Sequence, residues 1–117
     1  MVGAFLSTTT VAELNELPAE SQRNVLVVTH HAPCVRGASR PEHVKVPYKT
    51  AFSTDVLQAR EFMRGVAMWM FGHTHFTTEF QRGGIKVVAN QRGYVLGYKG
   101  PTLEDTRGFD DGRVVEL

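Results

Sequence analysis

Cysteine is nearly absent from this chain of 117 residues, and Cys34 stands alone. No internal disulfide framework can therefore hold the fold, and a reducing compartment suits it. Long apolar runs are missing as well, and none approaches the roughly 20 residues that span a bilayer. Charge of one sign is not in excess. Thirteen Lys and Arg against twelve Asp and Glu leave a net +1, which argues against a surface built to coat nucleic acid or membrane. The opening Met1 to Ser7 lacks the basic n-region of a signal peptide. There is no Walker-type phosphate loop, no serine nucleophile elbow, no internal repeat and no low-complexity segment. What is present is 42% apolar residues, enough for the core of one domain. A soluble, cytoplasmic protein is the expectation.

Apolar patterning divides the chain. Residues 1–7 are apolar without a clear period. Thr10 to Glu13 matches a capping box, and Val11, Leu14 and Leu17 then share one helical face up to Pro18. Val25 to Val28 is a β-branched run, as expected of a strand buried on both faces. It delivers Thr29, His30 and His31 at its carboxyl end, where ligands bind in open α/β sheets. Residues 32–50 show no period and carry Pro33, Pro41 and Pro47. Arg36, Arg40, Lys45 and Lys49 oppose only Glu42 there, which fits a loop closing over an anionic substrate or equally a solvated loop. Ser53 or Thr54 can cap a helix to about Arg64, with Val56, Leu57 and Phe62 as its apolar positions and Gly65 as its end. Trp69 to Phe71 closes a further strand. Thr77 to Phe80, the turn Gly83-Gly84 and Ile85 to Ala89 form a hairpin pattern. Tyr94 to Leu96 continues as a strand, 99–112 reads as a loop, and Arg113 to Leu117 reads as a last strand.

Four of the five histidines follow apolar runs directly: His30 and His31 after one, His73 and His75 after another. A lone histidine in such a place is commonly structural. Two clusters at two strand ends favour metal ligation instead, since imidazole suits zinc, iron, copper and nickel. Gly72 is expected to let the chain turn sharply and approach a neighbouring group, so that His73 and His75 point toward one centre. His30 is the third candidate ligand. His31 fits contact with substrate or support of the ligands better than ligation, and His43 reads as solvent-exposed. The run His73-Thr74-His75 with Glu79 resembles the first metal motif of cupins, but Ala67 stands where that motif wants glycine, and no second cupin motif follows. Cys34 lies close enough in sequence to His30 and His31 for a Cys–His pair, although an incidental loop cysteine is the simpler reading.

The segment Val27-Val28-Thr29-His30-His31-Ala32-Pro33, followed by Phe71-Gly72-His73-Thr74-His75, resembles the calcineurin-like metallophosphoesterases. Val88-Ala89-Asn90-Gln91-Arg92-Gly93-Tyr94 is similar to the segment that follows in that superfamily. The resemblance covers roughly residues 11–117. It implies the C-terminal half of a four-layer α/β/β/α sandwich, with a mixed sheet and short flanking helices, so that residues 1–117 form a partial domain. It implies hydrolysis of phosphate mono- or diesters by water activated between two divalent ions of manganese, iron or zinc. Carried over by position, His30 and His73 bind one ion, His75 binds the other, and His31 stands beside them. Asn90 and Arg92 orient the loop or reach substrate.

The departure lies in the family's other motifs. An Asp-x-His, a Gly-Asp-x-x-Asp with its bridging carboxylate, and a Gly-Asn-His-Glu or Gly-Asn-His-Asp are all missing; the aspartates here are Asp55, Asp105, Asp110 and Asp111. The chain thus carries part of the ligand set. The alternative expectation is a non-catalytic orphan half-domain binding at most one metal or a protein partner. A half-domain is also expected to expose apolar sheet faces, and to associate through them or with the missing half.

Overall fold

Five strands build one mixed sheet: β1 (Ala4–Phe5), β2 (Val25–Thr29), β3 (Val66–Phe71), β4 (Thr78–Arg82) and β5 (Ile85–Ala89). Their spatial order is β1-β2-β3-β5-β4. The computed structural model describes residues 4–5, 16, 24–45, 53–59, 63–93 and 107–117. β1, β2, β3 and β5 run parallel to one another, and β4 pairs antiparallel with β5. The architecture is α/β with little helix: the helical residues described are the 3-10 turn Pro41–Lys45. No helix among the described residues is long and apolar enough to cross a membrane.

Sequence pattern and sheet position agree strand by strand. β3, in the middle, is apolar on both faces, and its neighbour β5 is apolar apart from Lys86. Trp69, Phe71, Ile85, Val87 and Ala89 join the main core with Val25 and Val27, and the loop residues Ala32, Cys34, Ala38, Leu57 and Met63 pack there too. Met68 and Val88 point the other way and are also buried. β4, at the edge, alternates half-buried and exposed residues, as a strand with one wet face should. Two glycines with positive φ, Gly83 and Gly84, make the two-residue turn between β4 and β5, the backbone that type I′ hairpins require. β2 is buried on one face rather than both: Val25 and Val27 are covered, while Val28 is 37% exposed.

Two expected elements are corrected. The helix from Ser53 or Thr54 to Arg64 is absent among residues 53–59 and 63–65. The N–H groups of Thr54, Val56 and Leu57 bond instead to the carbonyls of Ala32 and Pro33, and Ser53 bridges Ala32 in parallel. Asp55 accepts from the Val35 N–H at 2.9 Å. Tertiary partners have taken the groups a first helical turn would use. The strand over 113–117 is also absent. Asp110 takes the N–H of Gly112 on its carboxylate and that of Arg113 on its carbonyl, which makes a turn. The expected helix between Thr10 and Pro18 and the strand at 94–96 lie outside the described residues.

Candidate metal centre

The sheet puts the two histidine pairs side by side. β2 and β3 are parallel neighbours in register from Leu26 opposite Met68 to Thr29 opposite Phe71. Both end together, and the Gly72 N–H donates to the His30 carbonyl at 3.1 Å, one rung beyond the ladder. Two sequence-distant motifs therefore emerge from one edge of the same rigid platform. Below them, the Trp69 indole donates to the Thr29 hydroxyl at 2.8 Å, and that hydroxyl donates to the His31 carbonyl at 2.6 Å. This relay fixes the start of the His30-His31 turn.

The turn after β3 differs from expectation in its mechanics. Gly72 has no positive φ, and a Cβ built on it would stand an ordinary 3.7 Å from the His30 carbonyl. The reversals fall on His73 (φ 68°) and His75 (φ 49°). A left-handed backbone costs an L-residue about 1–2 kcal/mol, so surrounding bonds must hold these two in place.

His30, His31 and His73 converge. Their ring centroids lie 4.5 Å (His30–His73), 4.8 Å (His31–His73) and 5.1 Å (His30–His31) apart. One ring nitrogen from each lies within 4.8 Å of the others. Three nitrogens at zinc bonding distance in a tetrahedron are about 3.4 Å apart. The rings of exposed His30 and His31 have room to close that difference. The chemistry of the set fits a borderline divalent ion: three neutral imidazoles leave coordination positions open, and carboxylates are absent from the group among the described residues. Electrostatics keeps the set ready. Burial of His73, then the nearby His30, His31 and His75, push its pKa below the ordinary 6.5. A proton is disfavoured at the ring whose lone pair a metal would need.

The remaining candidate residues take other positions. His75 is near enough to disfavour a proton on His73, but it is not one of the three converging rings. His31, expected to stand beside the ligands, is level with them. Asn90 faces the C-terminal segment: its amide nitrogen donates to the Asp110 carbonyl at 2.6 Å, and its oxygen accepts from the Asp110 N–H at 3.0 Å. Arg92 is exposed. Of the basic loop, Arg36 lines a cleft of about 470 Å³ with Cys34, Asp55, Leu57, Gln58 and Arg82, and no histidine. Cys34 is buried, and its burial raises the thiol pKa above the ordinary value, which makes it a poor nucleophile. Lys49 lies outside the described residues.

One residue of this region was missed. Gln91, between Asn90 and Arg92, is 8% exposed and bonds to the histidine turn at several points. Its sequence signal is slight: a polar residue two positions beyond an apolar strand, with no capping role to account for it.

No family model matches the chain, and no solved structure matches it. It is similar to an uncharacterized protein of Acanthamoeba polyphaga mimivirus, with 30% identity over 87 residues. That match covers 69% of this chain and 30% of the viral protein. The chain thus spans under a third of that relative's length.

Proposed function

We propose that this chain is the metal-binding C-terminal part of a calcineurin-like metallophosphoesterase domain, acting on phosphate mono- or diesters. The observation that carries the reading is the convergence of His30, His31 and His73 at the ends of two adjacent parallel strands. A divalent ion held there would polarise a phosphoryl oxygen and acidify a bound water. The chain's own part is to supply neutral donors, to keep them on a rigid sheet edge, and to leave the ion's outer positions open toward solvent. The half-domain reading of the fold belongs to the same proposal and draws support from β2, whose Val28 is exposed on a sheet face otherwise lined by Leu26, Met68, Met70 and Val88.

One observation favours the second reading, a non-catalytic half-domain holding a single ion. Among the described residues no carboxylate joins the imidazoles, and two close ions need an anionic bridge to offset their repulsion. Elemental analysis and hydrolysis of a chromogenic phosphodiester and phosphomonoester, with manganese or zinc added, separate the two. We expect about one ion per chain, lost in His73→Ala and in His30→Ala. Unchanged metal content in both variants refutes the site. Tight metal without hydrolysis selects the second reading.

A further inference from the structure

We infer that Gln91 is the positioning residue of this metal centre, holding the Thr74–Phe76 backbone so that His73 keeps its ring aimed at His30 and His31. The inference rests on the metal-binding reading above. Its starting point is the pair of left-handed residues, His73 and His75. Neither is glycine, so the turn is not the backbone's own preference and must be imposed.

The Gln91 carboxamide imposes it at three consecutive residues. Its Oε1 accepts from the His75 N–H at 2.7 Å. Its Nε2 donates to the Thr74 hydroxyl at 3.0 Å and to the Phe76 carbonyl at 3.3 Å. One donor and two acceptors on the turn are met by the one acceptor oxygen and the two N–H donors of the glutamine carboxamide. The main chain adds to this: the Gln91 N–H donates to the Thr77 hydroxyl at 2.9 Å, and that hydroxyl donates back to the Gln91 carbonyl at 3.2 Å. Gln91 and Thr74 are each 8% exposed, so these bonds are shielded from water. Because Gln91 stands two residues past the end of β5, which lies beside β3 in the sheet, the histidine turn is anchored at both ends of its arc, by β3 before it and by the end of β5 across from it. Loss of the carboxamide leaves His73 and His75 free to relax to right-handed backbone, which redirects both rings.

The test compares the full chain with Gln91→Ala and Gln91→Glu. Hydrogen exchange in metal-free protein reads the His75 amide against the Val87 and Val88 amides of β5. Cobalt(II) titration reads affinity and the visible bands that report ligand geometry. In Gln91→Ala, His75 exchange should accelerate at least tenfold with β5 unchanged. Cobalt affinity should fall about tenfold to a hundredfold, the range for residues that orient metal ligands, with shifted bands. Gln91→Glu keeps an oxygen to accept from His75 but sets a second acceptor against the Phe76 carbonyl in place of the Nε2 donor, so His75 should exchange more slowly than in Gln91→Ala while cobalt affinity still falls. Wild-type exchange and affinity in Gln91→Ala overturn the inference and leave the metal reading standing. Loss of β5 protection in both variants also overturns it, since Gln91 would then be holding the fold rather than the turn. No cobalt binding by the unmodified chain defeats the metal reading and the inference together, with His75 exchange still deciding whether Gln91 holds the turn.

Discussion

At His73 two requirements meet: a backbone held in a costly conformation, and a ring held in its neutral form. The second has a consequence for stability. Burial and the neighbouring His30, His31 and His75 depress the folded-state pKa below 6.5, while the unfolded chain keeps a value near the reference. Well above pH 6.5 neither state binds a proton at this ring, and stability is unaffected. Below it the unfolded state binds the proton more readily, so stability falls as pH falls. Metal-free protein should therefore show a lower urea midpoint at pH 5.5 than at pH 7.5, and His73→Asn should lessen the difference. An unmodified midpoint that is flat between these values removes the account. The carboxylate at Glu79 titrates in a lower range: bonds from Arg113 and Lys86 depress its pKa, so its contribution is lost only on acidification through the carboxylate range. The two effects are separable by pH alone.

Among the elements, the C-terminal segment is tied to the end of β5 by Asn90, which makes two hydrogen bonds to Asp110. Arg113 adds a bond to Glu79, and Gly108 lies over Thr77. Removing the Asn90 pair from an exposed site costs about 1 kcal/mol, which raises the opened population about fivefold. Asn90→Ala should therefore speed tryptic cleavage after Arg107 by about that factor, with β5 amide protection intact and metal content unchanged. A metal loss there, with cleavage unchanged, would return Asn90 to the site. The strands β2, β3 and β5 and the Gly83-Gly84 turn were legible in the sequence, because their apolar runs and paired glycines act locally. The helix expected from Ser53 or Thr54 to about Arg64 was not, because the N–H groups of Thr54, Val56 and Leu57 bond to Ala32 and Pro33 and the Asp55 carboxylate accepts from Val35, contacts between distant segments. The histidines were legible as a set by their place after strands. Which rings converge depends on left-handed turns at His73 and His75 that no propensity announces, and on Gln91, which reaches back across the sheet.

For the whole molecule, the two faces of the sheet have different fates. One carries the main core under the loops. On the other, register places Leu26 beside Met68, Val28 beside Met70, and Met70 beside Val88, an apolar stripe across β2, β3 and β5. Toward the edge the stripe gives way to Lys86 and Glu79, paired at 3.3 Å. Met68 and Val88 are covered, but Val28 is 37% exposed and Leu26 and Met70 are half-buried. Such a face suits burial against a second sheet, as the proposed sandwich requires, and favours self-association without one. Sedimentation velocity over a hundredfold range of concentration should show the chain moving from monomer to larger species. Val28→Lys places a charge at the β2 end of the stripe, at a position that burial in a partner would make costly. It should shift the distribution toward monomer while leaving cobalt binding at His30, His31 and His73 unchanged, since Val28 points to a face of the sheet rather than to the strand ends. A monodisperse monomer with a sharp, cooperative thermal transition at every concentration would mean that this face is complete as it stands, and the half-domain proposal would lose its structural support.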